Sequence, residues 1–444
     1  MSDVDAIVIG AGAGGLAAAL ELEARGRSVC ALDAGDRPGG VMRSDRIDGF
    51  LVERGPNTTR MPAGALALLQ RAGLAAALEK ASPESRARFL LRPEGLVPVP
   101  LDPLRFARTQ LLSRAGKLRL LREPWIPRGD GGSESVAAFV ERRFGREVLD
   151  ALIAPFLVGV YAGDEHALGA EAVFPTLVAA EREGGSIARG ALRRAFRRGA
   201  QRGFPGTWSA QGGLGGLATL LARGLGERLQ LGARVRALAP EAGGWRVELE
   251  DESLRARAVV LAADAGGAAE LLAPLDTEAA AFQRTLRFAP IVSVALALEA
   301  GASRLPLEGF GFLVPRDVGL DLLGALFMSR LFARRAPPGQ ELVTAMIGGL
   351  RWPGAVDAPD DELLRRIHAG LDRALGLRQT PRALAITRWP RAVPQPGPRH
   401  VRAVRAIRAR LAHFPPLALA GACWDGVALG ETLAAGARAA ADLR

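Results

Sequence analysis

The stretch "IVIGAGAGGLAAALELEARG", starting at Ile7, holds the residues with the clearest chemical purpose. Gly10, Gly12 and Gly15 follow the apolar run Ile7-Val8-Ile9 with G-x-G-x-x-G spacing and lead into an alanine-rich segment. That order suits a buried strand, a tight turn and a helix. Gly10 makes the turn, Gly12 lets a pyrophosphate approach the backbone, and Gly15 lets helix and strand pack closely. The start of the helix then offers free N–H groups and its positive dipole end to the phosphates. The next strand, "SVCALDAG", ends in Asp33, near the spacing at which a carboxylate binds a ribose hydroxyl.

The far end of the chain decides between NAD and FAD. "LALAGACWDGVALGETLAAGARAAADL" reads as a strand, a glycine-containing turn and a small-residue helix. NAD domains normally close within one contiguous block. A terminal element that brings a second helix N-terminus, near Gly426 and Val427, to a cofactor at residue 10 suits the longer FAD. No cysteine or histidine is assigned to covalent attachment, so the FAD is expected to be non-covalent.

The elements that must position these residues predict an α/β protein. A Rossmann-like FAD-binding domain is assembled from both chain ends, residues 1–80, 206–270 and 415–444. A mixed α/β substrate domain takes 81–100 and 271–414, where apolar strands alternate with helical stretches such as 360–376. Residues 101–205 turn helical and strongly basic. There Leu111, Leu112, Leu118 and Leu121 give an apolar stripe among arginines, consistent with either a solvated face or a membrane-facing domain. Residues 62–79 read as a short amphipathic helix, and "GWRVELEDESLRARAVVL" as a hairpin.

Composition excludes several classes. The net charge is +11, carried almost wholly by arginine, since Lys80 and Lys117 are the only lysines. No basic run is interleaved with aromatics, so nucleic acid is not an expected partner. The two cysteines, Cys30 and Cys423, and the four scattered histidines make no metal motif. The uncharged run Ala151 to Gly163 is too short to span a bilayer. With the nucleotide strand so near the N-terminus, no signal peptide is expected, and a cytoplasmic protein, peripheral on a membrane face, fits this composition.

Taken together, the motifs resemble those of the FAD-dependent protoporphyrinogen oxidases, within the superfamily of amine oxidases and phytoene desaturases. "GAGAGG", "AGDRPGG", "ERGPNT", "GVYAGD", "FPTLVAAEREGGS", "QGGLGGL", "GFGFLVP", "RAPPGQ", "IGG", "RWPRAVPQ" and "GVALGE" occur in the family's order, from about residue 5 to 440. The first two belong to the superfamily, whereas "GVYAGD" is more specific to the porphyrinogen oxidases. The resemblance implies FAD contacts from Gly10, Ala11, Gly12, Ala13, Gly14 and Gly15, from Asp33, Ala34 and Gly40, and from the turn Gly55-Pro56-Asn57-Thr58. It places Val235 at the adenine side, and Trp389 with Val427, Ala428 and Leu429 at the flavin end. Arg88 becomes the candidate propionate anchor, and Leu313 and Phe332 become apolar walls around a macrocycle.

The implied reaction is removal of six electrons from protoporphyrinogen IX, in heme biosynthesis, with dioxygen as final acceptor and hydrogen peroxide as product. No catalytic acid or base is assigned. Coproporphyrinogen III oxidation is the near alternative. An amine oxidase or carotenoid desaturase is more remote, and a non-catalytic binder on the same scaffold belongs to a different class. The chain departs from the family at Asp33, where glutamate is usual, at Pro396, where tyrosine is frequent, and at Ala422-Cys423, where Asn-Tyr is frequent.

Overall fold

The structure is a computed structural model that describes residues 4–100, 106, 108–129, 133–197 and 204–443. Its first sheet joins distant parts of the chain. Strand Val4–Ile9 lies between Val29–Asp33 and Ser253–Leu261, parallel to both. Leu229–Leu231 extends one edge in parallel, and Leu417–Leu419 pairs in parallel with Ser253–Leu261. The predicted hairpin forms, Gly244–Glu248 pairing antiparallel with Ser253–Leu261, and Ala237–Glu241 adds a further antiparallel strand. Ala6, Ile7, Val8 and Ile9 are all buried, because helices cover both faces of such a parallel sheet.

The first helix, Ala13–Ala24, is buried from Ala13 to Leu22. Its first turns, Ala13 to Leu20, hold only alanine, glycine and leucine and so leave no polar face to turn toward water. Leu16 and Leu20 share one core with Leu217 of helix Gly213–Leu225 and with Leu433 of the last helix, Leu429–Asp442. The predicted segment 62–79 contributes the shorter helix Ala63–Arg71 to this core.

The second sheet runs in the order 382–394, 288–299, 340–348, 322–327, 311–313, 88–92, 95–98. Strands 88–98 therefore join it from before the helical segment, with Arg88–Arg92 parallel to Gly311–Leu313. Helix Asp360–Leu375 covers one face through Leu363, Ile367 and Leu371. A separate hairpin, Ser44–Ile47 with Phe50–Glu53, is turned by Asp48 and Gly49 at positive φ.

A helical unit has its own core, which includes Phe139, Leu149, Leu157 and Tyr161. Fully buried Arg143 ties it together, donating to Glu181 and Glu123 and to the carbonyls of Ile126 and Gly185. The expected leucine stripe divides here. Ser113 caps the helix Arg114–Leu121, so Leu111 and Leu112 precede it. Leu112 is buried, whereas Leu118 and Leu121 are 59% and 70% exposed.

Candidate active site

The glycine loop has the form needed to bind a pyrophosphate. Gly10 adopts φ +104°, and a Cβ there would stand 2.5 Å from the Ala262 carbonyl oxygen. A Cβ on Gly15 would stand 1.8 Å from the Gly10 carbonyl oxygen, so helix and strand touch backbone to backbone. Gly12 differs: a Cβ there would meet nothing within 4 Å. It opens onto free space at the N-terminus of the first helix, which has no side-chain cap and no acid in its first turn. A helix N-terminus of this kind leaves unpaired N–H groups of the sort an anion takes.

The "AGDRPGG" segment folds onto this loop. The Gly39 N–H donates to the Ala11 carbonyl at 2.7 Å, and a Cβ on Gly40 would stand 3.4 Å from the Gly12 Cα. Asp33, at the end of its strand, accepts from the Ala11 N–H at 2.5 Å and the Gly35 N–H at 2.7 Å. Those bonds orient its carboxylate beside the loop, next to exposed Ala34. The Ala233 N–H donates to the Asp33 carbonyl at 2.8 Å, which draws the segment carrying Val235 to the same edge.

The second end of the site gathers around the turn Gly55-Pro56-Asn57-Thr58. Gly55 is obligatory, because a Cβ there would lie 1.8 Å from the Val41 carbonyl oxygen. Trp389 donates its indole N–H to the Arg54 carbonyl at 2.7 Å, tying the second sheet to this turn. The Thr59 hydroxyl accepts from the Gly430 N–H at 2.9 Å, bringing Leu429 and exposed Ala428 to it. Val427 packs on the core of the helical unit. Asn57 is buried, and its Oδ1 has no hydrogen-bond partner. An orphaned acceptor, the open space at Gly12 and two helix N-termini fit an elongated dinucleotide.

Beyond that end, the substrate residues part company. Leu313 packs on Gly159 of helix Ala154–Tyr161, where a Cβ would lie 2.6 Å from its Cδ2. Arg88 is exposed, with its guanidinium 4.5 Å from the centre of the Phe310 ring and no carboxylate partner among the described residues. Partial burial, then the nearby Arg60 charge, lower its pKa. Phe332 is 1% exposed, packed with Phe50 and Leu331, its ring 5.0 Å from the Arg335 guanidinium. Arg335, fully buried, donates to Glu53 at 2.9 Å and to Ser209 at 2.6 Å, while Glu53 also accepts from the Leu214 N–H at 3.0 Å.

Sequence reasoning passed over Thr59 and Gly39 as single residues. Gly39 carries a signal in its glycine pair, whereas Thr59 acts through a helix 371 positions away and has none.

A profile described as flavin containing amine oxidoreductase matches residues 13–444. The chain belongs to that family. It is 31% identical to the spinach protein "Protoporphyrinogen oxidase 1, chloroplastic", over 99% of this chain and 84% of that one. It is 33% identical to human "Protoporphyrinogen oxidase", over 98% of this chain and 97% of that one. A crystal structure from Exiguobacterium, which bears the same name provisionally, superposes with TM-score 0.78 at 26% identity, covering 99% and 98% of the two chains. Putrescine oxidase shares the fold, with TM-score 0.73 at 18% identity over 99% of each chain. As a member of the family the chain is a flavin-dependent oxidoreductase, with FAD as its cofactor.

Proposed function

We propose that this enzyme oxidises protoporphyrinogen IX to protoporphyrin IX. The observation that carries the reading is the near full-length similarity to proteins of that name in both plants and human. Bound FAD supplies the two-electron acceptor, and three dioxygen molecules take the six electrons and six protons as three hydrogen peroxides. The chain's own part is to bind and orient. Gly10 to Gly15 hold the pyrophosphate, Asp33 with Ala34 and Val235 the adenosine end, and Gly40 the phosphate loop's outer side. Gly55 to Thr58, Trp389 and Val427 to Leu429 frame the flavin end. Leu313 lies against one macrocycle face and Arg88 takes a propionate. Burial pushes the Cys423 thiol up to about 12, so it stays protonated, in keeping with a non-covalent cofactor. Lys80 lies over Trp208 and Lys117 holds the Thr109 carbonyl, which leaves no lysine for an amine-oxidase site.

The decisive test supplies protoporphyrinogen IX in air and follows porphyrin fluorescence with peroxide release. Porphyrin and peroxide at a ratio near one to three support the reading. Turnover of coproporphyrinogen III alone would replace the substrate, and a colourless protein without flavin would remove the activity altogether.

The reading includes peripheral attachment to a cytoplasmic membrane face. Leu118, Leu121, Trp125 and Leu192 are exposed beside Arg114, Lys117, Arg122, Arg189 and Arg193. Glu123 joins the two surfaces by accepting from the Ile187 N–H at 2.8 Å. Among the described residues no helix is long and apolar enough to cross a membrane.

A further inference from the structure

The last turn of helix Ala154–Tyr161 opens the family-specific "GVYAGD" run. Phe156 and Val160 are exposed on it, and Gly159 packs directly against Leu313. Neither of its ends is an ordinary helix boundary. A π-helical stretch, Leu149–Ile153, runs straight into its start, and Ala162 leaves it in the left-handed region at φ 46°. Its position is therefore set by what grips it.

The grip is on three successive carbonyls, which a helix end otherwise leaves open. The Tyr161 carbonyl accepts from Gln395 Nε2 at 2.8 Å. The Ala162 carbonyl accepts from the Leu350 N–H at 2.9 Å. The Gly163 carbonyl accepts from the Arg316 guanidinium at 2.9 Å. The donors follow three different strands of the second sheet, 382–394, 340–348 and 311–313, so the grip is spread across it. Gln395 is the buried member. Its amide also donates to the Val393 carbonyl at 3.0 Å, and a Cβ on Gly163 would stand 2.3 Å from its Oε1. That close approach explains why "GVYAGD" needs glycine at 163.

We propose that Gln395 is a positioning residue. With Arg316 it latches the end of helix 154–161 to the second sheet and so keeps Gly159 packed against Leu313, the macrocycle wall of the proposed function. The proposal rests on the porphyrinogen reading for the ligand's shape, but the latch itself is a property of this chain. Among the described residues the Gln395 amide donates only to the Tyr161 and Val393 carbonyls, so its loss acts through the fraction of molecules whose helix is in place. Apparent affinity falls as the inverse of that fraction.

The test uses full-length holoprotein with Gln395→Leu, which keeps the volume and removes both donors, and with Arg316→Met and Arg316→Lys. Flavin content, kcat and KM for protoporphyrinogen IX, and amide hydrogen exchange of residues 154–163 are read together. Gln395→Leu is expected to retain flavin, keep kcat within about twofold, raise KM about 5- to 100-fold and speed exchange in the helix. Arg316→Met gives the same pattern at about 2- to 5-fold, and Arg316→Lys, which keeps a donor, restores most of it. Unchanged KM and exchange in a loaded, folded variant would overturn the latch. Loss of flavin with wild-type exchange would overturn it too, by moving Gln395 to the cofactor. If the wild type is inert toward porphyrinogens, the substrate reading fails while exchange still decides the latch. If Gln395→Leu does not fold, the two Arg316 variants decide it.

Discussion

Gly436 of the last helix lies against Gly14 of the first, so closely that a Cβ on Gly436 would stand 2.0 Å from the Gly14 carbonyl oxygen. Backbone meets backbone there, and the helix that starts at the phosphate loop is braced by the one that starts at the flavin end. Gly436→Val is expected to force them apart and cost about 1–3 kcal/mol or more of stability, read by chemical denaturation, with flavin lost as a consequence.

Gly12→Val should do the opposite. Its Cβ meets nothing within 4 Å, and its φ of −72° suits any residue. Denaturation of the flavin-free protein should match wild type while flavin binding is lost. A variant that keeps its yellow colour would show that the pyrophosphate lies elsewhere.

Arg88→Ala should raise KM for protoporphyrinogen IX roughly 10- to 150-fold, the worth of one charge-assisted contact of about 1.5–3 kcal/mol. Because Arg88 is exposed and stacked only on Phe310, flavin content and thermal midpoint should not move. With esterified propionates the penalty should shrink, and an equal penalty on both substrates would remove Arg88 from carboxylate recognition.

Arg335→Met should leave Glu53 buried without its cation, at a cost of about 3–5 kcal/mol. Burial already raises the Glu53 pKa, and Arg335 is the first influence opposing that rise. Without it the folded-state pKa climbs further above the unfolded value. A folded state that holds its proton more tightly is favoured below the unfolded pKa and loses that advantage as pH rises through the folded one. Denaturation midpoints of variant and wild type should therefore converge at about pH 5 and diverge at pH 8. A gap independent of pH would mean that Glu53 is not the group left stranded.

Leu121→Ser with Trp125→Ser should abolish flotation with anionic liposomes at low salt while leaving turnover in detergent intact. Each basic residue near the surface contributes about 1 kcal/mol, so high salt should weaken the wild type as well. Equal, negligible binding of both proteins under all conditions would return this surface to plain solvent exposure.

The sequence disclosed what is local. Gly10, Gly12 and Gly15 work within one turn, so their spacing carries their geometry, and Asp33 follows at a fixed strand length. Residues acting across the chain were less legible. The bond from Trp389 to Arg54 depends on a strand pairing interrupted by two register shifts, and no motif reports that. The burial of Phe332 was not legible either, since it packs on Phe50 and stands beside Arg335, whose bond to Glu53 spans 282 positions. The leucines of the helical unit misled because Ser113 starts a helix in their midst, and a stripe is continuous only along one helix.

The braced pair of helices also bears on how the chain is made. The first helix is apolar from Ala13 to Leu20, yet the face that Leu433, Ala434 and Gly436 cover is supplied only about 400 residues later in synthesis. At roughly 5–20 residues per second, the ribosome needs about 20–80 s to deliver them. For that interval an oily, glycine-lined groove at the front of the nascent chain has no permanent occupant. A chain released a few dozen residues early never gains one, which makes it a substrate for chaperones and proteases rather than a weaker enzyme.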